Sequence, residues 1–189
     1  MTSILLTAPA IEPVPLSEAK AFLRVDTDEE DPLIAALIAS ARQYIETRTQ
    51  LALITQSWRL VLDSWPACGC VDVRPGPFKS VAAARVFDFE GNPHGVDTQA
   101  FVPDFGASTL AFIPWSVPLP TRVAAGIEID VICGYGNAEI DVPDPLRQAI
   151  RLLAAHWFEN RGLIASDAAA VVLPASAASL IAPYRLVSL

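Results

Sequence analysis

Few residues in this chain are of the types that perform acid–base or metal chemistry. It contains three cysteines and two histidines, His94 and His156. Cys68 and Cys70 are separated by one glycine and could help to bind a metal, but no third or fourth ligand follows nearby. Neither histidine lies in a recognisable catalytic motif. The sequence therefore predicts no catalytic residue, no metal site and no bound cofactor.

The segment Gly134–Asn137 is rich in glycine and could be mistaken for a phosphate-binding loop. Such a loop would lead from a strand directly into a helix. Here the acidic residues Glu139, Asp141 and Asp144 follow, and their charges would repel a phosphate. We interpret this segment as a connection between a strand and a helix that needs unusual backbone angles.

An acidic run, residues 26–31, has two interpretations. Clustered carboxylates could bind a divalent cation, but a calcium loop needs a glycine turn and a spaced set of ligands, which are absent. Acids just before a helix favour its positive end. Thr27 with Glu30 fits a capping box, and Asp31 with Pro32 offers a second helix start. We favour helix capping.

Residues 16–50 and 143–185 are predicted to be helical. Ser17 is the expected cap of a short first helix that ends near Arg24. Asp144 is the expected cap of the third helix, with Pro145 at its first helical position; this helix ends near Arg161, and a last short helix covers Pro174 to Ala182. The apolar face of the second helix is predicted to contain Ile34, Leu37, Ile38, Ala41 and Ile45, with Arg42, Gln43, Glu46 and Arg48 mostly opposite. The third helix has the apolar residues Leu146, Ala149, Ile150, Leu153 and Trp157 on one face.

Residues 54–135 are predicted to form strands and loops. Alternation of apolar and polar residues and a high content of β-formers predict strands. Eight of the sixteen prolines, from Pro66 to Pro120, punctuate this part of the chain. The predicted fold class is α+β: a mainly α-helical core of two N-terminal and two C-terminal helices, with an inserted small antiparallel β-sheet, in a single domain over residues 1–189. The predicted strands are Thr55–Asp63, Ser80–Phe87, Thr109–Ile113 and Gly126–Cys133.

The net charge of -8 has the wrong sign for a protein that grips DNA phosphates. An acidic lining would instead let DNA slide past without sticking. Hydrophobic residues make up 52% of the chain, which indicates either apolar surface covered by partners or simple alanine richness. The N-terminus lacks the basic start of a targeting signal, and no apolar window is long enough to span a membrane. We expect a protein that is cytosolic where it is made.

Several segments in a fixed order resemble head-tail connector proteins of long-tailed phages, prophages and gene transfer agents. The first is residues 16–25 (LSEAKAFLRV), followed by the acidic run and by residues 33–46 (LIAALIASARQYIE). Residues 53–58 (LITQSW) close this half. In the C-terminal half, the similar segments are residues 142–146 (VPDPL), 157–161 (WFENR) and 180–185 (LIAPYR).

The resemblance implies a structural protein of a virion or phage-like particle that is not an enzyme. Such subunits form a ring, usually of 12 copies, below the portal, extend the DNA channel and contact the next neck, stopper or tail protein. The segment from Leu173 to Leu189 would dock on the portal, with Leu180, Ile181, Pro183, Tyr184 and Arg185 as candidate contacts. Acids to inspect as channel-facing are Asp28, Glu29, Glu128 and Asp130. A neck stopper, a tail-completion protein and a soluble adaptor unrelated to virions are the alternatives.

Overall fold

A computed structural model describes residues 1–160 and 174–185 of the chain. The described backbone contains four α-helices and two antiparallel sheets, so the predicted α+β class is confirmed. The chain divides into two units. One, here the sheet unit, comprises Met1–Pro9 and Thr55–Tyr135; the other, the helical unit, comprises Ala10–Ile54 and the chain from Gly136 onwards. The expectation of a single connector domain stays a prediction.

The sheet unit contains a five-stranded sheet in the order β1-β2-β8-β4-β5 and a three-stranded sheet in the order β3-β7-β6. All neighbouring strands are antiparallel. The single inserted sheet expected from the sequence was therefore too simple a description. The strands are β1 Thr2–Thr7, β2 Gln56–Leu62, β3 Cys70–Asp72, β4 Phe78–Phe87, β5 Pro93–Val96, β6 Phe101–Asp104, β7 Thr109–Phe112 and β8 Ile127–Cys133.

The central strand β8 shows why this sequence folds into a sheet. Ile127, Ile129 and Val131 alternate with polar residues and are fully buried, as expected for a strand with one face on the core. Leu60 of β2 lies opposite Ile129 and is also fully buried. The alternation that predicted β8 is thus the pattern that fixes its register, because a shift of one residue would expose this apolar set.

Strand β1 was not predicted, and it extends the sheet with residues from the N-terminus. It pairs with β2, with Ile4 opposite Arg59 and Leu5 opposite Trp58. Its side chains are mostly exposed, so Thr2–Thr7 lacks the alternation of apolar and polar residues that helps to predict strands. Strands β3, β5 and β6, of three or four residues each, were not predicted either.

The helical unit contains α1 Leu16–Leu23, α2 Asp31–Thr49, α3 Asp144–Glu159 and α4 Ala175–Ile181, and a short 3-10 helix, Ala182–Tyr184, follows α4. Helix α2 packs against α3, and α3 packs against α4. Helix α1 ends at Arg24 in the left-handed conformation (φ 58°). The predicted end of the third helix at Arg161 lies outside the described residues. The core includes Ile34, Ile38, Ala41, Ile45, Leu146, Ala149, Ile150 and Leu153.

Three details of the helix prediction were wrong. Ser17 and Asp144, the expected caps of α1 and α3, lie inside the first turns of these helices and cap neither of them, because the helices begin at Leu16 and at Asp144 itself. Thr27 forms no capping box; α2 begins at the second predicted start, Asp31 with Pro32 in the first turn. Arg42 was placed on the exposed face, yet it is 7% exposed, because two carboxylates surround its guanidinium.

Candidate assembly surfaces

The segment expected to contact the portal forms the end of α4 and the 3-10 helix after it. Ile181 is buried at 3% exposure, and Leu180 and Tyr184 are half-buried. Pro183 and Arg185 are exposed. The side chains available to a partner are therefore those of the 3-10 helix and Arg185, while Ile181 packs within the chain. Leu173 and residues 186–189 of the expected docking segment lie outside the described residues.

Two of the predicted channel-facing acids, Glu128 and Asp130, belong to an ionic cluster on one face of the five-stranded sheet. We call Arg59, Arg85, Glu128 and Asp130 the sheet quartet. Asp130 accepts hydrogen bonds from Nε and Nη2 of Arg59 at 2.6 and 3.0 Å and from Nη2 of Arg85 at 2.7 Å. Glu128 lies 3.1 Å from Arg59 and 3.3 Å from Arg85. Two carboxylates thus face two guanidinium groups.

This arrangement changes what the two acids can do. The hydrogen bond from Arg59 lowers the pKa of Asp130, and burial opposes that effect. Asp130 is therefore ionised at neutral pH, but its charge is matched within the cluster. The sheet quartet has no formal net charge, so Glu128 and Asp130 contribute little field to a DNA channel. The partners were missed because the sequence gives no cross-strand register; Arg59 and Arg85 lie on β2 and β4, either side of β8.

The other two predicted acids, Asp28 and Glu29, are exposed before α2. The ammonium group of Lys20 lies 2.6 Å from one carboxylate oxygen of Asp28 and 2.6 Å from one of Asp31. The hydrogen bond from Lys20 lowers the pKa of Asp28. Asp31 lies in the first turn of α2, where a negative charge is favourable. Within residues 1–160 and 174–185, no group of three or more acidic, histidine or cysteine side chains could hold a metal ion.

Two arginine clamps hold the helical unit together. Arg42 donates to Glu12 at 2.8 Å and to Glu46 at 2.7 Å, and the second oxygen of Glu46 accepts the backbone N–H of Leu53 at 2.9 Å. These contacts join α2 to the segments before and after it. In the second clamp, Arg147 and Arg151 of α3 both bind Glu18 of α1. The long-range pairings to Glu12 and Glu18 could not be read from local spacing.

The two histidines contact neighbouring side chains, and Cys133 is buried. His94 lies 3.1 Å from Asp88, whose pKa is lowered to about 2 by hydrogen bonds from the backbone of Asn92 and from His94. His156 contacts the side chain of Asn160, the residue that follows α3, at 3.3 Å. Burial raises the pKa of the Cys133 thiol to about 12, which makes it unreactive at neutral pH.

The glycine-rich segment is a connection between β8 and α3, as predicted. Gly134 has a φ of 130°, which an L-residue rarely adopts. Gly136 leaves room for the carboxylate of Asp141, which would clash with any added Cβ. That carboxylate accepts the backbone N–H of Ala138 at 2.9 Å. The acid thus closes the turn.

The exposed apolar side chains of the sheet unit include two groups that we consider as assembly surfaces. The first is β1, where Ile4, Leu5 and Leu6 are each almost half exposed. The second is the segment 113–125, in which Trp115 is 87% and Val123 94% exposed. Exposed apolar residues in groups mark interaction surfaces.

Hydrogen bonds hold the segment 113–125 to other parts of the sheet unit. The indole N–H of Trp65 donates to the carbonyl of Pro118 at 2.8 Å, and Asp63 accepts the backbone N–H of Ala125 at 2.7 Å. The backbone N–H of Thr121 donates to the carbonyl of Phe87 at 3.1 Å. A segment fixed in this way presents its exposed residues at little cost in conformational entropy. No described helix is long and apolar enough to cross a membrane.

Comparisons with known proteins identify similar structures and a matching family. Among curated proteins, no match was found. Three solved structures match 100% of this chain and 97% of the other: the neck of an empty gene transfer agent (GTA) particle computed with C6 symmetry (29% identity, TM-score 0.81), a native GTA virion (28%, 0.79), and the neck of a native GTA particle computed with C12 symmetry (29%, 0.70). Residues 14–72 match the family model of the Phage gp6-like head-tail connector protein. The predicted resemblance to head-tail connector proteins is therefore confirmed by this match.

Proposed function

We propose that this chain is a structural subunit of the neck of a phage or GTA particle, where it forms a ring that connects the capsid portal to the neck and tail. The observation that supports this proposal most strongly is the match over the whole chain, at 29% identity, to the neck of a GTA particle. The C6 and C12 symmetries of the matched necks are consistent with a ring of identical copies, and we infer 12.

The physical properties of the chain fit this role. A ring subunit needs apolar surface that neighbouring proteins cover, which β1 and the segment 113–125 supply. It also needs a channel along which DNA can pass without binding, and a net charge of -8 disfavours binding to phosphates. In this proposal DNA passes through the ring without sequence-specific contacts, and the chain catalyses no reaction.

We propose that the portal contacts the exposed end of the helical unit after α4. Pro183 and Arg185 are accessible there and Tyr184 is half-buried, while Leu180 and Ile181 hold the segment to the unit. Tyrosine and arginine are frequent in the energetically dominant parts of interfaces. A downstream neck, stopper or tail protein would contact another face of the ring.

Electron microscopy of particles from a strain that lacks this gene tests the proposed function. We expect heads without tails beside separate free tails, and restoration of tailed particles when the gene is supplied again. Normal, tailed, infectious particles would contradict the proposal and favour an adaptor unrelated to virions. Heads that retain a complete portal-proximal ring but lose DNA through it would instead indicate a stopper protein.

The same complementation assay tests the portal contact. We expect a chain that carries both Tyr184→Ala and Arg185→Ala to fold but not to bind the heads, which should therefore stay tailless. An immunoblot of purified heads measures whether the chain is present. Arg48→Ala, which removes another exposed arginine of the helical unit, is the matched control and should bind normally. Equal binding of both variants would exclude this end of the unit as the portal contact.

A further inference from the structure

The outer edge of strand β1 lacks the features that keep other sheet edges from pairing. The five-stranded sheet ends at β1 on one side and at β5 on the other. Each strand at a sheet edge has a row of backbone N–H and C=O groups that a further strand can bind. Natural proteins block such edges with proline, with charged residues or by keeping the strand very short.

The other three sheet edges show these protective features. Strand β5 begins at Pro93, and β6 contains Pro103 and Asp104. Strand β3 has three residues and includes Asp72. By contrast, the six residues of β1 include no proline and no charged side chain. A register irregularity near Leu6 leaves Thr2 to Leu5 regularly paired with β2, and this regular stretch is long enough to accept another strand.

The exposed side chains of β1 give a contact at this edge more than backbone hydrogen bonds. Ile4 is 48% exposed and Leu6 45% exposed. Their burial by a partner would be favourable by roughly 25 cal/mol for each Å² of apolar surface removed from water. The hydroxyl of Ser3 donates to the carbonyl of Arg74 at 2.6 Å, so the strand is already held in an extended conformation before any partner binds.

We propose that this edge pairs with an extended segment of a second copy of the same chain. A neighbouring copy has the same net charge of -8, so the two copies repel each other least where the edge that one of them presents lacks charged side chains. The first ten residues of the chain contain no ionisable side chain. The inference rests on the proposed function, because a ring of identical copies supplies each subunit with another copy at its side.

A photo-reactive amino acid at Leu6 tests which chain lies against the edge. The variant is produced in the strain that lacks this gene, and purified particles are irradiated and separated by denaturing electrophoresis. We expect adducts of twice and more the mass of this chain that contain only this chain. Adducts with a different protein alone, or no adducts although the chain is present in the particles, would overturn the inference. Absence of the chain from all particles would instead count against the proposed function.

A charge on the edge tests its importance for assembly. We expect Ile4→Lys to reduce the yield of tailed particles roughly tenfold or more, because every contact would bury an unpaired charge. Phe89→Lys is the matched control, since Phe89 is 80% exposed in the same unit but lies in a turn, and its yield should stay near that of the unchanged chain.

Both purified variants should melt within a few degrees of the unchanged protein, which separates assembly from folding. Hydrogen exchange gives a further measurement: those backbone amides of Thr2–Leu5 that do not bond to β2 should exchange more slowly in the particle than in the free chain. A normal yield of tailed particles with Ile4→Lys would overturn the inference while leaving the connector function intact.

Discussion

The two units of this protein use their predicted channel-facing acids in different ways. In the sheet unit, Glu128 and Asp130 are matched by two arginines on neighbouring strands, and Asp130 is 9% exposed. In the helical unit, the side chain of Asp28 is 90% exposed and has one lysine partner, and Glu29 is exposed. The same residue types are therefore part of the folded scaffold in one unit and part of the surface in the other.

This comparison shows that the partners of an acid, more than its charge, determine its role. A carboxylate on a half-buried sheet face must be paired, because removing a charge from water is costly unless counter-charges and hydrogen bonds replace the water. A carboxylate on the surface keeps its water and contributes to the long-range field. The stability of the chain should therefore depend on the sheet quartet, whereas its interaction with DNA in the proposed channel should depend on exposed acids.

Replacement of Asp130 by alanine is expected to have the largest effect. It leaves Glu128 as the one carboxylate of the sheet quartet that pairs with the guanidinium groups of Arg59 and Arg85. We expect the free energy of unfolding of the sheet unit to fall by about 2–4 kcal/mol, somewhat less than for a fully buried pair because the arginines retain some access to water. Urea unfolding followed by tryptophan fluorescence measures this change.

Asp28→Ala is the matched control, since it also removes one aspartate that pairs with a basic side chain. Because that side chain is exposed, we expect little change in the urea midpoint. A similar loss for both variants would mean that the two sets of acids do not differ as described.

Local patterns in the sequence correctly predicted several helices and strands of the two units. Alternation identified β8, and the period of apolar residues identified α2 and α3, because both patterns reflect one buried face. Gly136 was correctly predicted to lie in the connection between a strand and a helix, because the acidic residues that follow it argued against a phosphate-binding loop. Strand β1 was missed because its apolar side chains are exposed and give no alternation.

The pairings across the molecule were not predictable in the same way. Arg59 and Arg85 meet Asp130 only because β2 and β4 flank β8, and strand order is a property of the tertiary fold. Arg42 was assigned to the exposed face because helical period alone does not show that Glu12 lies above it. The portal contact and the channel lining stay predictions, since both depend on how copies and partners assemble.

Acidification is expected to lower the free energy of unfolding of the sheet unit, by less than replacement of Asp130 does. The pKa of Asp130 in the folded chain is lowered, first by the hydrogen bond from Arg59, so its pairing stabilises the fold above its unfolded pKa of about 3.9. This stabilisation is lost as the pH falls below that value towards the folded pKa. We expect the sheet unit to lose stability as the pH falls below about 4.

Urea unfolding at a series of pH values measures this loss. Asp130→Asn, which cannot ionise, should be less stable at pH 6 and should show a flatter dependence below pH 4. An unchanged pH profile in this variant would mean that other carboxylates, among them Asp88 with its pKa of about 2, cause the acid sensitivity.

Reversal of the charges of Asp28 and Glu29 is expected to have the smallest effect, and it should change DNA delivery rather than stability. If Asp28 and Glu29 face the channel, Asp28→Lys with Glu29→Lys would place positive charges beside passing DNA. We expect DNA delivery by purified particles to fall roughly two- to fivefold, and the defect to shrink at high salt because screening acts within about 10 Å. Asp72→Lys with Glu90→Lys changes the net charge equally, through exposed acids of the sheet unit, and should deliver DNA normally. An equal defect in both variants would attribute the effect to net charge, and no defect in either would place Asp28 and Glu29 outside the channel.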